Sequence, residues 1–203
     1  MTPKEDGAVG QVAGLLLAAG GGRRLGGRPK ALLEHRGRPL VEHAVEALRT
    51  AGCARVHVVL GAAAGTVRER ARLEGCVLVT NPEWEQGMGT SLRAGLGSFA
   101  GTGARAALVL LVDQPGIGAQ AVARVLAAHE DESSLVCAAY DGVRGHPVLF
   151  GAAHWAGIAA TATGDRGARA YLKEHEKAIT LVECADVARP FDIDTPEDLA
   201  HLE

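Results

Sequence analysis

The chain is short of aromatic residues, which fill 3% of its 203 positions. Exposed rings for stacking the bases of a single-stranded nucleic acid are therefore scarce, and the core has to be built from Leu, Val and Ala. A large net charge is also lacking. The formal value of −3 excludes a whole-surface electrostatic grip on nucleic acid. The four cysteines, Cys53, Cys76, Cys137 and Cys184, are scattered without C-x-x-C spacing. That spacing signals neither a zinc site nor a redox pair, and buried free thiols in a reducing compartment are expected instead. No apolar run approaches the length of a membrane span, and the polar start has no signal-peptide layout. These absences predict a cytoplasmic protein with no nucleic-acid or membrane partner. They also predict a flexible N-terminus over residues 1–11 and a single domain over 12–203.

What is present is a 47% hydrophobic complement, enough for a sizeable core, arranged in short runs that alternate with helical patterns. Val12 to Ala18 reads as a strand buried on both faces. Leu40, Val41, Ala44, Val45 and Leu48 recur at helical spacing and run out at Gly52, a C-terminal cap signal. Further strands are predicted in ARVHVVLG, CVLVT, AALVLLVD, SLVCAAY, PVLF and AITLVE. Further helices are predicted over Gly65 to Leu73 and in GTSLRAGLGSF, GAQAVARVLAAHE and GARAYLKEHE. The end, FDIDTPEDLAHLE, reads as a strand stub entering a helix, with Thr195 as N-cap, Pro196 in the first helical position and Asp198 closing a capping box. Strict strand–helix alternation through residue 130 predicts an α/β fold with a mostly parallel sheet and helices on both faces. The two short strands near 134–150 interrupt it as an inserted hairpin. In such sheets ligands lie beyond the carboxyl ends of the strands, so the residues after each apolar run carry the chemistry.

After the first strand come Gly20, Gly21 and Gly22, then a concentration of charge. Arg23, Arg24, Arg28, Lys30, Arg36 and Arg38 face a single acid, Glu34. A basic patch in an otherwise slightly acidic chain points to a small anionic ligand. Gly22 and Gly27 have the Walker A spacing, but Arg28 follows where that loop needs Lys. The dinucleotide pattern fails because Leu25 stands at its third glycine. A glycine loop remains whose backbone N–H groups, with Arg24 and Lys30, suit a triphosphate; the alternative is a solvated basic loop. Asp113 ends a buried strand, where a carboxylate needs a partner and Mg²⁺ is a natural one; the alternative is a turn or cap aspartate. Asp192 and Asp194 alternate about Ile193, so on a strand both would share one face as a second candidate metal position, with helix capping as the alternative. Gly87 leads into a helix on which Thr90 and Ser91 suit caps, and that N-terminus could meet an anion or a ribose. Trp84 is a lid or core residue. His146 precedes a strand as a lone histidine, and Arg166 and Arg169 sit in a loop that clamps a phosphate or caps a helix.

In order, LLLAAGGGRRLGGRPKALL, NPEWEQGMGTSL, LLVDQP, GHPVLF, GDRGAR and DIDTPEDL resemble the nucleotidyltransferases similar to molybdenum-cofactor cytidylyltransferase, with the guanylyltransferase of the same cofactor a close relative. The resemblance runs from about residue 12 to the end. It implies a three-layer α/β/α nucleotide-binding fold with a mostly parallel mixed sheet. It implies transfer of NMP from an NTP to a phosphorylated acceptor such as molybdopterin, with release of pyrophosphate and with Mg²⁺ as cofactor. Carried over by position, Ala18, Ala19, Gly20, Gly21, Gly22, Arg23 and Gly26 hold the nucleotide, with Gly87, Thr90 and Ser91 beside it. Lys30, Arg24 and Asp113 are the implied catalytic set. Asp113 and Asp194 match the metal positions, with Asp192 as second choice, and His146, Arg166 and Arg169 are assigned to the acceptor. Gly22 stands where the family pattern has Ser, and Leu25 where it has Met. AAG after the strand leans to CTP, and transfer from GTP is the alternative. A molybdoenzyme that receives the product is a further implied partner. A carrier that passes a cofactor without turnover is a second alternative.

Overall fold

The computed structural model describes residues 11–202. Of the N-terminus expected to be flexible, residues 1–10 lie outside the described residues. Gln11 is tied down, its carbonyl accepting the Arg105 N–H at 2.9 Å. The strands are β1 (Val12–Ala18), β2 (Glu34–His35), β3 (Arg38–Pro39), β4 (Val56–Leu60), β5 (Val77–Thr80), β6 (Ala106–Leu111), β7 (Leu135–Tyr140), β8 (Val143–Gly151) and β9 (Ile179–Glu183). The α-helices are α1 (Leu40–Thr50), α2 (Ala64–Arg70), α3 (Met88–Gly97), α4 (Ala119–Ala127), α5 (Trp155–Thr161) and α6 (Arg169–Glu174). Seven strands form one sheet in the order β5-β4-β1-β6-β8-β7-β9. Within this sheet every pairing is parallel except those of β8 with β6 and with β7, and β2 and β3 form a separate antiparallel pair.

All seven residues of β1 are buried, and they alternate between two cores. Val12, Leu16 and Ala18 pack with Val41, Leu48, Val122 and Val125 of α1 and α4. Ala13, Leu15 and Leu17 pack with Leu92 of α3, Ile158 of α5 and Leu172 of α6. The period of two in the strand thus feeds opposite faces, and the result is three layers, α/β/α. Helix α1 forms because its apolar residues fall at helical spacing, and it stops at Gly52, whose φ is +103°. Each fully buried Leu or Val on it contributes about 1.5–3 kcal/mol relative to exposure.

The inserted hairpin expected from the sequence is β7–β8, and β8 is the reversed strand. Its two-residue turn, Asp141-Gly142, has φ of +52° and +77°, the left-handed pair that a tight hairpin requires. Pairing slips between Cys137 and Ala138, which face Val148 and Gly145. The skipped residues are His146 and Pro147. Proline has no N–H to give a ladder, and the bulge re-aims the histidine. Helix α5 was not anticipated, because Ala, Gly and Thr dilute its apolar periodicity.

The C-terminal stretch departs from expectation. No strand forms before Thr195, and Pro196–Leu202 is a 3₁₀ helix. The capping box is half made: Asp198 Oδ2 accepts the backbone N–H of Thr195 at 2.7 Å and the Thr195 hydroxyl at 2.9 Å. The extended segment instead pairs with the turn after β6. Arg189 N–H donates to Gly116 O at 3.1 Å, and Ile193 N–H to Asp113 O at 2.9 Å. The four cysteines are free, with Cys53, Cys137 and Cys184 buried and Cys76 partly exposed. Among the described residues no helix is long and apolar enough to cross a membrane.

Gly116 permits the close approach of the two segments, because a Cβ there would lie 2.3 Å from Arg189 O and 2.6 Å from the Phe191 ring. Gly116→Ala is expected to cost about 1–3 kcal/mol by overpacking, read as a lowered urea midpoint. An unchanged midpoint would show that the clamp is not tight.

Candidate active site

In register, Leu17 of β1 faces Leu111 of β6, and Ala18 faces Leu60 of β4. The carboxyl ends of three adjacent parallel strands therefore lie level, and the segments that leave them gather in one place. The place is a cleft of about 1250 Å³. Its walls carry Ala19, Gly20, Gly21, Gly22, Arg23, Arg24 and Lys30 from the glycine loop, Gly87 and Ser91 from the start of α3, and Asp113 and Gln114 after β6. His146, Arg166, Arg169, Asp192 and Asp194 complete it.

The loop is shaped by its glycines. Gly22 has φ of +59°, and a Cβ there would lie 2.0 Å from Arg28 O. Its carbonyl accepts the N–H groups of Leu25 at 2.9 Å and Gly27 at 3.0 Å. The departure from the family serine is therefore required by this backbone. A Cβ on Gly21 would lie 2.9 Å from the Trp84 ring, and one on Gly61 2.5 Å from the same side chain. Trp84 is thus a packed wall against the loop. Arg23 and Arg24 are exposed and enter no ion pair among the described residues.

Lys30 is at the centre. Its ammonium donates to Asp113 Oδ2 at 2.6 Å and to Asp194 Oδ1. The Lys30 side chain is 13% exposed, Asp113 22% and Asp194 45%. Burial by itself pulls the ammonium down, but the charge of Asp113 and the hydrogen bonds to both carboxylates outweigh it, and the pKa is raised. Lys30 therefore stays a cation throughout the physiological range. Asp192 is solvent-accessible at the cleft mouth, yet the cleft walls desolvate its carboxyl and, with repulsion from Asp113 and Asp194, raise its pKa; the Gln114 hydrogen bond and Lys30 oppose the rise. Among the described residues no group of three or more His, Cys, Asp or Glu side chains is arranged to hold a metal. The hard oxygens nearest to such a role are those of Asp113 and Asp194, which now share the Lys30 cation.

Not every expected contact faces the cleft. Ala18 is buried at the end of β1, 2% exposed. Gly26 lies on the outer limb of the loop, in a left-handed turn with open space beside it. Thr90 is not an N-cap. It sits inside α3, and its hydroxyl reaches the carbonyls of Glu83 and Gly87 at 3.0 and 2.9 Å. Asn81 Nδ2 donates to Thr90 at 2.8 Å and to Ser91 at 3.0 Å, so this pair first fastens the helix to the preceding turn, and Ser91 alone of the two reaches the cleft wall. Gly87, at φ +108°, packs against Gly164 and Asp165. That contact brings the loop of Arg166 and Arg169 to the cleft. Asp192 and Asp194 do reach one side, although no strand places them there, because buried Ile193 anchors the segment between them. Gln114 is a site residue that the sequence patterns do not single out; its place directly after Asp113 was the signal available.

His146 makes no hydrogen bond through its ring among the described residues, while its carbonyl accepts from the Tyr140 hydroxyl at 2.6 Å. The residue is half-buried in the cleft wall. Burial, and then the nearby Arg169 guanidinium, push its pKa down to about 4. The ring is therefore neutral at neutral pH. In the unfolded chain it titrates near 6.5, so the unfolded state binds the proton first as pH falls. Between about pH 6.5 and 4 the wild type is expected to lose more stability than His146→Gln, measured by denaturant midpoints at each pH. Equal losses would contradict the neutral ring.

The chain is 42% identical over 198 residues to nicotine blue oxidoreductase of Paenarthrobacter nicotinovorans, covering 94% of this chain and 96% of that one. It is 33% identical over 204 residues to molybdenum cofactor guanylyltransferase of Rhodobacter capsulatus, covering 95% of each. Among solved structures, an Rv0371c homologue from Mycobacterium sp. strain JC1 is 28% identical with a TM-score of 0.78, over 95% of this chain and 97% of that one. Rv0371c of Mycobacterium tuberculosis H37Rv in complex with manganese is 25% identical with a TM-score of 0.76, again over 95% and 97%. The family model for the MobA-like NTP transferase domain matches residues 14–179, and the chain belongs to this family.

Proposed function

We propose that the protein is a nucleotidyltransferase that moves NMP from an NTP to a small phosphorylated acceptor and releases pyrophosphate. The observation that carries this reading is the Lys30 ammonium held between Asp113 and Asp194 beside a basic glycine loop. The barrier to such a transfer is charge crowding at the α-phosphorus, which positioned cations lower. An acceptor phosphate is largely ionised near neutral pH, so no general base is required, and the neutral His146 need not serve as one.

In this reading the N–H groups of Gly20 to Gly22 hold phosphate oxygens, Arg24 takes the leaving pyrophosphate and Lys30 the α-phosphate. Arg166 and Arg169 hold the acceptor. Asp113 and Asp194 are the residues that would hold Mg²⁺, which takes one or two carboxylates together with phosphate oxygens; Asp192 would stand beside them. The ion would supply further neutralisation of the triphosphate. That Rv0371c of Mycobacterium tuberculosis was obtained in complex with manganese supports a divalent ion for this chain as well. For the nucleotide, Ala18-Ala19-Gly20 leans to CTP. The relatives named as molybdenum cofactor guanylyltransferases favour GTP, and GTP with molybdopterin is the pairing we propose.

A second reading rests on the 42% relative named an oxidoreductase. It requires hydride or electron transfer in the same cleft, and two assays separate the readings. Pyrophosphate release is measured with GTP, CTP, ATP or UTP, Mg²⁺ and molybdopterin. Oxidation of NADH or NADPH is measured with nicotine blue. Release that depends on GTP and acceptor is expected. Dye-dependent nicotinamide oxidation without pyrophosphate would replace the proposal. Lys30→Ala is expected to lower the transfer rate about a hundredfold or more with an unchanged circular dichroism spectrum. Near-wild-type single-turnover transfer by this variant would remove Lys30 from the mechanism.

A further inference from the structure

Three buried side-chain atoms among the described residues lack a hydrogen-bond partner: His57 Nε2, His129 Nε2 and Gln114 Oε1. Of these three residues, Gln114 is the one that lines the cleft. It is 9% exposed, and its Nε2 donates to Asp192 Oδ1 at 2.8 Å. That bond fixes which end of the amide is which. Turned over, the amide would set its oxygen against a carboxylate, two acceptors face to face. The free atom is therefore the oxygen, and a buried carbonyl left without a donor is costly to keep. Where such a group lines a cleft, a bound ligand or an ordered water can complete it.

The turn that carries Gln114 is held firmly. Its carbonyl accepts the Ile117 N–H at 3.1 Å, and the two residues flanking the 114–115 step, Asp113 and Gly116, accept from Ile193 and Arg189. The carboxamide is thus fixed in place before any ligand arrives. In the strand order β1-β6-β8 the turn after β6 stands between the glycine loop after β1 and the bulge of β8 that carries His146. Gln114 is bonded toward the C-terminal segment, and none of its hydrogen bonds goes to the glycine loop. Asp113 precedes it in the chain and Asp192 is bonded to it, and the walls of the same cleft carry His146, Arg166 and Arg169. Such a surface suits a molecule with an anionic end and a hydrogen-bond donor close to it.

We propose that Gln114 is a specificity residue for the acceptor: its Oε1 takes the hydrogen of an N–H or O–H group carried near the acceptor's phosphate. This rests on the nucleotidyl-transfer reading for the word acceptor, and names the class of molecule accepted. An acceptor lacking that donor leaves the carbonyl unpaired and is rejected.

The test is binding calorimetry on the full chain, which needs no turnover. The probes are molybdopterin, with ring N–H donors, glucose 1-phosphate, with O–H donors, and GTP with Mg²⁺. Gln114→Met removes the polar atoms at similar size. Gln114→Asn, shorter by a methylene, withdraws the oxygen and serves if the methionine variant does not fold. At least one of the two acceptor probes is expected to bind the wild type, and either variant is expected to weaken it about tenfold while GTP affinity moves less than about twofold. The proposal is overturned if neither acceptor probe binds the wild type, or if acceptor affinity is unchanged. It is equally overturned if GTP weakens as much as the acceptor, or if the Mg²⁺ needed for GTP binding rises while acceptor binding stays constant. Selective acceptor weakening without pyrophosphate release from GTP and molybdopterin would count against nucleotidyl transfer and not against the Gln114 contact.

Discussion

Lys30 is bonded to two carboxylates that lie 83 and 164 residues away in the chain. Both oxygens are within hydrogen-bond reach of one nitrogen, so they stand no more than about 5 Å apart. At an effective dielectric constant of about 20, two like charges at that distance repel by about 3 kcal/mol. A cation between them removes the conflict, and in the free protein Lys30 is that cation. The glycine loop, the end of β6 and the C-terminal segment meet at this one ammonium. Solvent access to Asp194 softens the energies without changing the sign.

The backbone makes this meeting possible. Parallel pairing of β1 with β4 and β6 brings the loop and Asp113 level. The C-terminal segment then docks by main-chain hydrogen bonds to Asp113 and Gly116, with Ile193 buried beneath it. A strand pairing is not needed to place Asp192 and Asp194, because the buried isoleucine and the clamp do it. The same construction fixes Gln114, and through the β8 bulge it sets His146 opposite.

Much of this was legible in the sequence because it is local. The apolar run Val12–Ala18 announces a doubly buried strand, and its boundaries are those found. The glycines after it announce a loop, which lines the cleft, and Asp113 at the end of an apolar run announces a carboxylate in need of a partner. What was not legible depends on distant contacts. The partner of Asp113 could not be read as Lys30. Thr90 has the composition of a cap, but the helix begins earlier, at Met88, and its hydroxyl turns to nearby carbonyls. The extended stretch before Thr195 resembles a strand by alternation, yet it forms no sheet pairing and rests on the turn after β6 instead. Gln114 carries no periodic signal; its orphaned oxygen is visible only once burial and partners are known.

In the function proposed above, the cluster of Lys30, Asp113 and Asp194 is the centre for nucleotidyl transfer. Following radiolabel from the α-phosphate of GTP, with Mg²⁺ and molybdopterin, tests it most directly in the wild type and in Asp113→Asn. Label is expected in the acceptor for the wild type, with a loss of at least about a hundredfold in the variant. Label that stays with GTP in the wild type, or that reaches the acceptor equally well in Asp113→Asn, would contradict it.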